Sequence, residues 1–200
     1  MKIWIAIAFL IVFTKSAYVG SRFRTVLDHS NPQDDRAFTL RYWYDNSHFN
    51  AKDFDAPIML YICGENTCKP PNPESPNFFH TLTTEFKALS LVLEHRYYGD
   101  SQPFDSWKTE NLRYLTIDNA LADINMFLTS MNSDIMMRYG GPKRKIFVVG
   151  GSYPGALSAW ARYKYPHTIN AALYSSGVVL AVEDFQNFDG QVYTSMAKSG

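Results

Sequence analysis

Two cysteines, an even charge balance and the lack of a second long apolar run narrow what this 200-residue chain can be. Lys+Arg and Asp+Glu number 19 each, so no net field exists to gather nucleic acid or an anionic membrane, and no nucleic-acid partner is expected. Cys63 and Cys68 are the entire cysteine complement, and a C-x4-C pair without close-set histidines is a poor zinc site. No metal and no cofactor is therefore expected. Beyond residue 13 no apolar stretch approaches the roughly 20 residues that a membrane-spanning helix requires. Internal repeats, low-complexity tracts and a clear linker are also missing, and composition alone names no partner and no oligomeric state.

What is present begins at the amino terminus. Met1-Lys2 precedes an apolar run from Ile3 to Phe13, followed by Thr14-Lys15-Ser16, the layout of a secretory signal peptide covering residues 1–17. An uncleaved anchor is the alternative. With the signal removed, no membrane association is expected and the remaining chain enters an oxidising compartment, extracellular or lysosomal. There a Cys63–Cys68 bridge would stiffen its loop, two free thiols being the other reading.

Residues 18–200 read as the N-terminal portion of one α/β domain. Phe38–Tyr44, Pro57–Cys63, Leu89–Glu94, Lys145–Val149 and Ile169–Tyr174 are short apolar or aromatic runs between turn signals, and are expected to be strands. Four prolines between Lys69 and Pro76 make a loop, with a helix expected from about Asn77 to Lys87. Thr116 is placed to cap a helix whose apolar residues, from Ile117 through Ile135, recur at spacings of three and four. Gly140-Gly141-Pro142 ends it, and Pro154–Tyr165 supplies another helix. Strands alternating with helices predict a mostly parallel sheet covered on both faces.

Between the strand at Lys145–Val149 and the last of these helices stands Gly150-Gly-Ser-Tyr-Pro-Gly155. A hydroxyl on a tight strand-to-helix turn is exposed to substrate and base, so Ser152 is the candidate nucleophile. An ordinary connection with serine as helix cap is the plainer alternative. In the pattern G-x-S-x-G, Gly150 fills the first small position, Pro154 stands at the second and Gly155 follows one step later. Proline is accepted in the first turn of a helix. The developing oxyanion would need two backbone N–H donors, for which Tyr153 and the loop at Gly64 are the candidates.

None of the five histidines offers a ready base. His95 lies before the serine, in the titratable cluster Glu94 to Ser101, where a structural network is the expected role. His29, His48 and His80 read as surface or cap residues. His167 follows Ser152 but sits at the far end of a helix, roughly 15 Å away at 1.5 Å per residue.

Three blocks in order carry a resemblance: Leu93-Glu-His-Arg-Tyr-Tyr-Gly-Asp-Ser-Gln-Pro103, Leu112-Arg-Tyr-Leu-Thr-Ile-Asp-Asn-Ala-Leu-Ala-Asp123 and Gly150-Gly-Ser-Tyr-Pro-Gly-Ala-Leu-Ser-Ala-Trp160. The chain resembles the serine peptidases that include lysosomal prolyl carboxypeptidase, dipeptidyl peptidase II and thymus-specific serine protease. That resemblance implies an α/β-hydrolase fold, a peptide substrate cut beside proline, and Ser152 as nucleophile with Tyr153 as oxyanion donor. Pro154 departs from the commoner glycine of the family. Members take their aspartate and histidine from later in the chain, and 48 residues follow Ser152 here, so an incomplete copy of such an exopeptidase is expected. A truncated non-catalytic product, or a secreted lipase or esterase sharing only the turn, are the other readings.

Overall fold

The computed structural model describes residues 18–72 and 77–199. The expected signal peptide, and residues 73–76 of the proline-rich loop, lie outside the described residues. Six strands form one sheet: β1 (Val19–Val26), β2 (Ala37–Asp45), β3 (Ile58–Ile62), β4 (Leu89–Leu93), β5 (Ile146–Gly151) and β6 (Ala171–Ser175). Their order is β1-β2-β4-β3-β5-β6. β1 and β2 pair antiparallel, as do β2 and β4, whereas β4, β3, β5 and β6 run parallel. The sheet is therefore mixed, with the parallel part holding the apolar strands.

Alternation along those strands sorts side chains to two faces, as the strand period of two requires. Ile58, Leu60, Leu91, Leu93, Ile146 and Val148 join one core cluster. Met59, Val92 and Val149 join another on the opposite face. The first face is covered by α3 (Ile117–Tyr139) and α4 (Tyr153–Lys164), which contribute Ala120, Leu121, Ile124, Phe127, Leu128, Leu157 and Ala161. α1 (Phe78–Glu85) covers part of the second through Phe79. Helices thus lie on both faces, as the sequence predicts. Phe127 of α3 meets Phe23 of β1 and Tyr42 of β2 edge-on, with centroids 5.2 and 5.0 Å apart. Each such pair adds about 1 kcal/mol beyond its buried area.

Local signals set the helix ends. Thr116 accepts from the Asn119 amide at the start of α3, and Gly140, at φ 72°, closes its end. Asn77 does the corresponding work for α1 through the His80 amide. Three elements escape the sequence reading: β1, the single turn α2 (Thr109–Leu112) and α5 (Gln186–Ser199).

Candidate active site

The C-terminal ends of the parallel strands β3, β4 and β5 converge on one edge of the sheet, where loops of open α/β sheets hold ligands. β5 leads through Gly150 and Gly151 into Ser152, and α4 begins at Tyr153. Ser152 is exposed and adopts φ 60° and ψ −130°, a conformation L-residues rarely enter. Its amide donates to the Ser175 carbonyl of β6 at 3.0 Å, and its carbonyl accepts from Ala156 at 3.1 Å. The turn leaves no room for a side chain at Gly150, where a Cβ would stand 2.2 Å from the Pro154 carbonyl oxygen. Gly155 meets the chain after β6, a Cβ there lying 2.9 Å from the Ser175 oxygen and 3.0 Å from Gly177 Cα. The second small residue is therefore shifted by one place, and Pro154 takes a different task.

That task is to receive the loop after β3. A Cβ at Gly64 would lie 2.6 Å from Pro154 Cγ, so glycine lets this backbone rest directly on the first turn of α4. Cys63 and Cys68 are joined in a disulfide that closes the loop, with Cα atoms 5.8 Å apart. The Cys68 amide also donates to Glu94 Oε1 at 3.0 Å. Ser152, Tyr153, Gly64 and the disulfide are thereby brought into one neighbourhood. The first amides of a helix have no acceptor within it, and Tyr153 is the first residue of α4.

Directly after β4 come Glu94, His95 and Arg96, at 0%, 7% and 1% exposure. Each side chain fastens a different element. Glu94 accepts from Arg41 Nε and Nη2 on β2, from the Cys68 and Asp100 amides and from Ser101 Oγ. Gly99, at φ 54°, passes so close that a Cβ would overlap this carboxylate at 2.0 Å. Arg96 donates from Nε and Nη2 to Asp123 of α3 at 2.6 and 2.9 Å, and to the Leu27 and Tyr114 carbonyls from Nη1. Asp123 accepts from Thr25 at 2.7 Å as well. Burial raises the Asp123 carboxyl, but hydrogen bonds from His29 and Arg96 outweigh it and hold the group below the usual carboxylate range.

His95 lies between the rings of Tyr98 and Tyr153, with centroids 5.3 and 5.5 Å away. Nδ1 faces the Arg96 carbonyl at 2.7 Å and Nε2 faces the Tyr153 hydroxyl at 2.9 Å. A carbonyl only accepts, so Nδ1 carries the hydrogen. Burial lowers the imidazole pKa, despite the opposing backbone hydrogen bond, so the ring is neutral and Nε2 accepts from Tyr153. The phenol itself is pushed up to about 12, chiefly by burial and then by nearby Tyr98 and Glu65. An open cleft of about 290 Å³ lies beside this pair, lined by Glu65, His95, Tyr98, Leu115, Thr116, Ile117 and Tyr153.

The remaining histidines sit elsewhere. His167 lines a cleft with Lys145 and Ile146, at the end of β5 opposite Ser152. His48 and His80 form a ring pair by α1, with centroids 5.9 Å apart. His29 corrects the sequence reading: it is no surface or cap residue, because Nε2 lies 2.7 Å from Asp123 Oδ1 and the side chain is 16% exposed. The sequence reading also misses the pairing of Arg96 with Asp123, although both lie in the matching blocks. Their 27-residue separation crosses from strand end to helix, and no local periodicity records it.

A mostly parallel sheet, a serine at positive φ between strand and helix, and a glycine loop against that turn define the α/β-hydrolase class. Solved structures agree in fold: a peroxisomal α/β-hydrolase of Saccharomyces cerevisiae has a TM-score of 0.53 at 10% identity, over 86% of this chain and 46% of its own. An acylaminoacyl peptidase of Pyrococcus horikoshii has a TM-score of 0.52 at 12% identity, over 84% and 24%.

The chain belongs to the serine carboxypeptidase S28 family, whose pattern matches residues 25–200. The Arabidopsis thaliana protein named "Probable serine protease EDA2" is 40% identical over 174 residues, 85% of this chain and 35% of its own. Thymus-specific serine protease of Mus musculus is 35% identical over 174 residues, 86% and 33%. The Arthroderma benhamiae protein named "Probable extracellular serine carboxypeptidase" is 31% identical over 160 residues, 78% and 22%. The chain thus spans about a third or less of the relatives it matches.

Proposed function

We propose that this polypeptide serves a serine exopeptidase of the secretory route that hydrolyses peptide bonds next to proline. The single observation that carries the reading is Ser152, exposed at φ 60° where β5 turns into α4. In this reading Ser152 Oγ attacks the scissile carbonyl carbon, and a histidine takes the hydroxyl proton as the C–O bond forms. The carbonyl oxygen becomes an oxyanion, received by the backbone N–H groups of Tyr153 and of the Gly64 loop. Collapse expels the leaving amine, which takes the proton from the histidine, and water then releases the acyl group by the same steps. This reading draws its histidine and orienting aspartate from outside these 200 residues, which is supported by His95 being committed at both nitrogens and His167 lying at the opposite end of β5.

Secretion is supported by the Cys63–Cys68 disulfide, a bond that persists in oxidising compartments. A relative named as extracellular points the same way. Among the described residues no helix is long and apolar enough to cross a membrane. The proline preference rests on the three sequence blocks. The test is a panel of substrates given to a polypeptide that continues past Gly200: proline-linked dipeptide amides, peptides with a penultimate proline, and lipid esters. Cleavage at proline that is lost in Ser152→Ala is the expected result, and hydrolysis of the lipid esters alone would overturn the peptidase reading.

A further inference from the structure

The strained backbone of Ser152 must be held by its surroundings, since conformations of this kind persist only where neighbours over-determine them. Two holds are already described: the Ser152 amide on Ser175, and the close fit around Gly150 and Gly155. Both act on the strand side of the turn or on α4. The side chain of Tyr153 ties the peptide unit between Ser152 and Tyr153 to the end of β4, and its partner there is His95 Nε2.

His95 is itself rigidly placed. Its neighbours in sequence, Glu94 and Arg96, are both ion-paired and buried, and its Nδ1–H is spent on the Arg96 carbonyl. One ring nitrogen thus fixes the tautomer and orientation, leaving the other as a directed acceptor. The groups around the ring are Tyr98 and Tyr153, with Arg96, Asp123 and Glu65 as the nearby charges. Arg96 and Asp123 are joined to each other.

We propose that His95 is a positioning residue that acts through the Tyr153 hydroxyl, holding the Ser152–Tyr153 peptide so that its N–H points to where the oxyanion forms. It is not the general base. This rests on the proposed serine chemistry, and deepens it by assigning the buried histidine of the Glu94-His95-Arg96 block. A displacement of about 1 Å in such a group costs on the order of 100-fold in rate.

The test has two arms. In the first, imidazole ¹⁵N spectra of the protein show His95 protonated at Nδ1 and unprotonated at Nε2. Tyr153→Phe shifts the Nε2 signal toward that of a free acceptor, and His95→Ala moves the backbone amide signals of Ser152 and Tyr153. Protonation at Nε2, or unmoved amides, overturns the proposal. In the second, a polypeptide continuing past Gly200 is treated with a fluorophosphonate and the labelling rate at Ser152 is followed. His95→Ala and Tyr153→Phe each slow it by about 10- to 100-fold, and the double variant is no slower than either single one.

His95→Gln keeps an amide oxygen for the Tyr153 hydroxyl and restores labelling to within about three-fold, which no glutamine could do in place of a general base. Failure of that rescue, or additive losses, contradicts the positioning role. Absence of labelling in the parent protein would instead defeat the serine-peptidase reading, and the spectra would still decide whether His95 holds the turn.

Discussion

At Ser152 the backbone conformation and the proposed chemistry make opposing demands. A side chain at φ 60° is strained by about 1–3 kcal/mol, and a hydroxyl there gains exposure in return. Ser152→Gly should therefore unfold at a higher temperature than Ser152→Ala, by roughly 1 kcal/mol of stability, although both variants lack the hydroxyl. Equal melting temperatures would mean that the turn is relaxed. At His95 the pH dependence has a definite sign. Its folded pKa lies below the unfolded value near 6.5, so the unfolded chain takes up the proton first as pH falls. Stability is unaffected above that value and is lost as pH drops from about 6.5 toward the lower folded pKa. Thermal melts from neutral to mildly acidic pH should thus decline less steeply in His95→Gln than in the parent, and parallel slopes would contradict the buried neutral ring.

Among the elements, the turn after β4 organises the site. Glu94 joins β2, the disulfide loop and the Asp100–Ser101 turn, while Arg96 joins α3 to the end of β1. Glu94→Gln removes the buried one of Arg41's two carboxylate partners, leaving only Asp100, and places an amide NH2 among groups that are all donors. We expect a loss of about 3 kcal/mol in chemical denaturation; a loss under about 0.5 kcal/mol would show that the carboxylate is dispensable. The strands β3, β4 and β5 and the helices α3 and α4 are legible in the sequence because each buries a continuous apolar run or stripe. β1 is not, because Arg22 and Arg24 alternate along an edge strand beside Gly20 and give no apolar run. α5 carries Phe188, Val192 and Met196 at spacings of four, a stripe that is short and crossed by Gly190 and is easily passed over, and it buries no residue. Ser152, Tyr153, Gly64 and the cysteine pair are local features that a reader of the chain can find. The partners of Glu94, His95 and Arg96 depend on sheet order and strand ends, which no local pattern encodes.

On the scale of the molecule, the sheet places three supports around one serine: the Gly64 loop from β3, the Glu94–Arg96 turn from β4 and the strained turn from β5. The opposite margin has a different character. β6 is an edge strand of the described sheet, and Leu173 and Tyr174 on it, with Val178 and Leu180 in the segment that follows, are exposed. Apolar exposure along a sheet edge is a feature of contact surfaces. The central proposal is that Ser152 serves as the nucleophile of a serine peptidase whose acid and histidine lie outside these 200 residues. Mass-spectrometric mapping of a fluorophosphonate adduct tests it most directly. The account predicts an adduct on Ser152 in a polypeptide continuing past Gly200, lost in Ser152→Ala and absent from the 200-residue chain alone; an adduct on another residue, or ready labelling of the 200-residue chain, would contradict it.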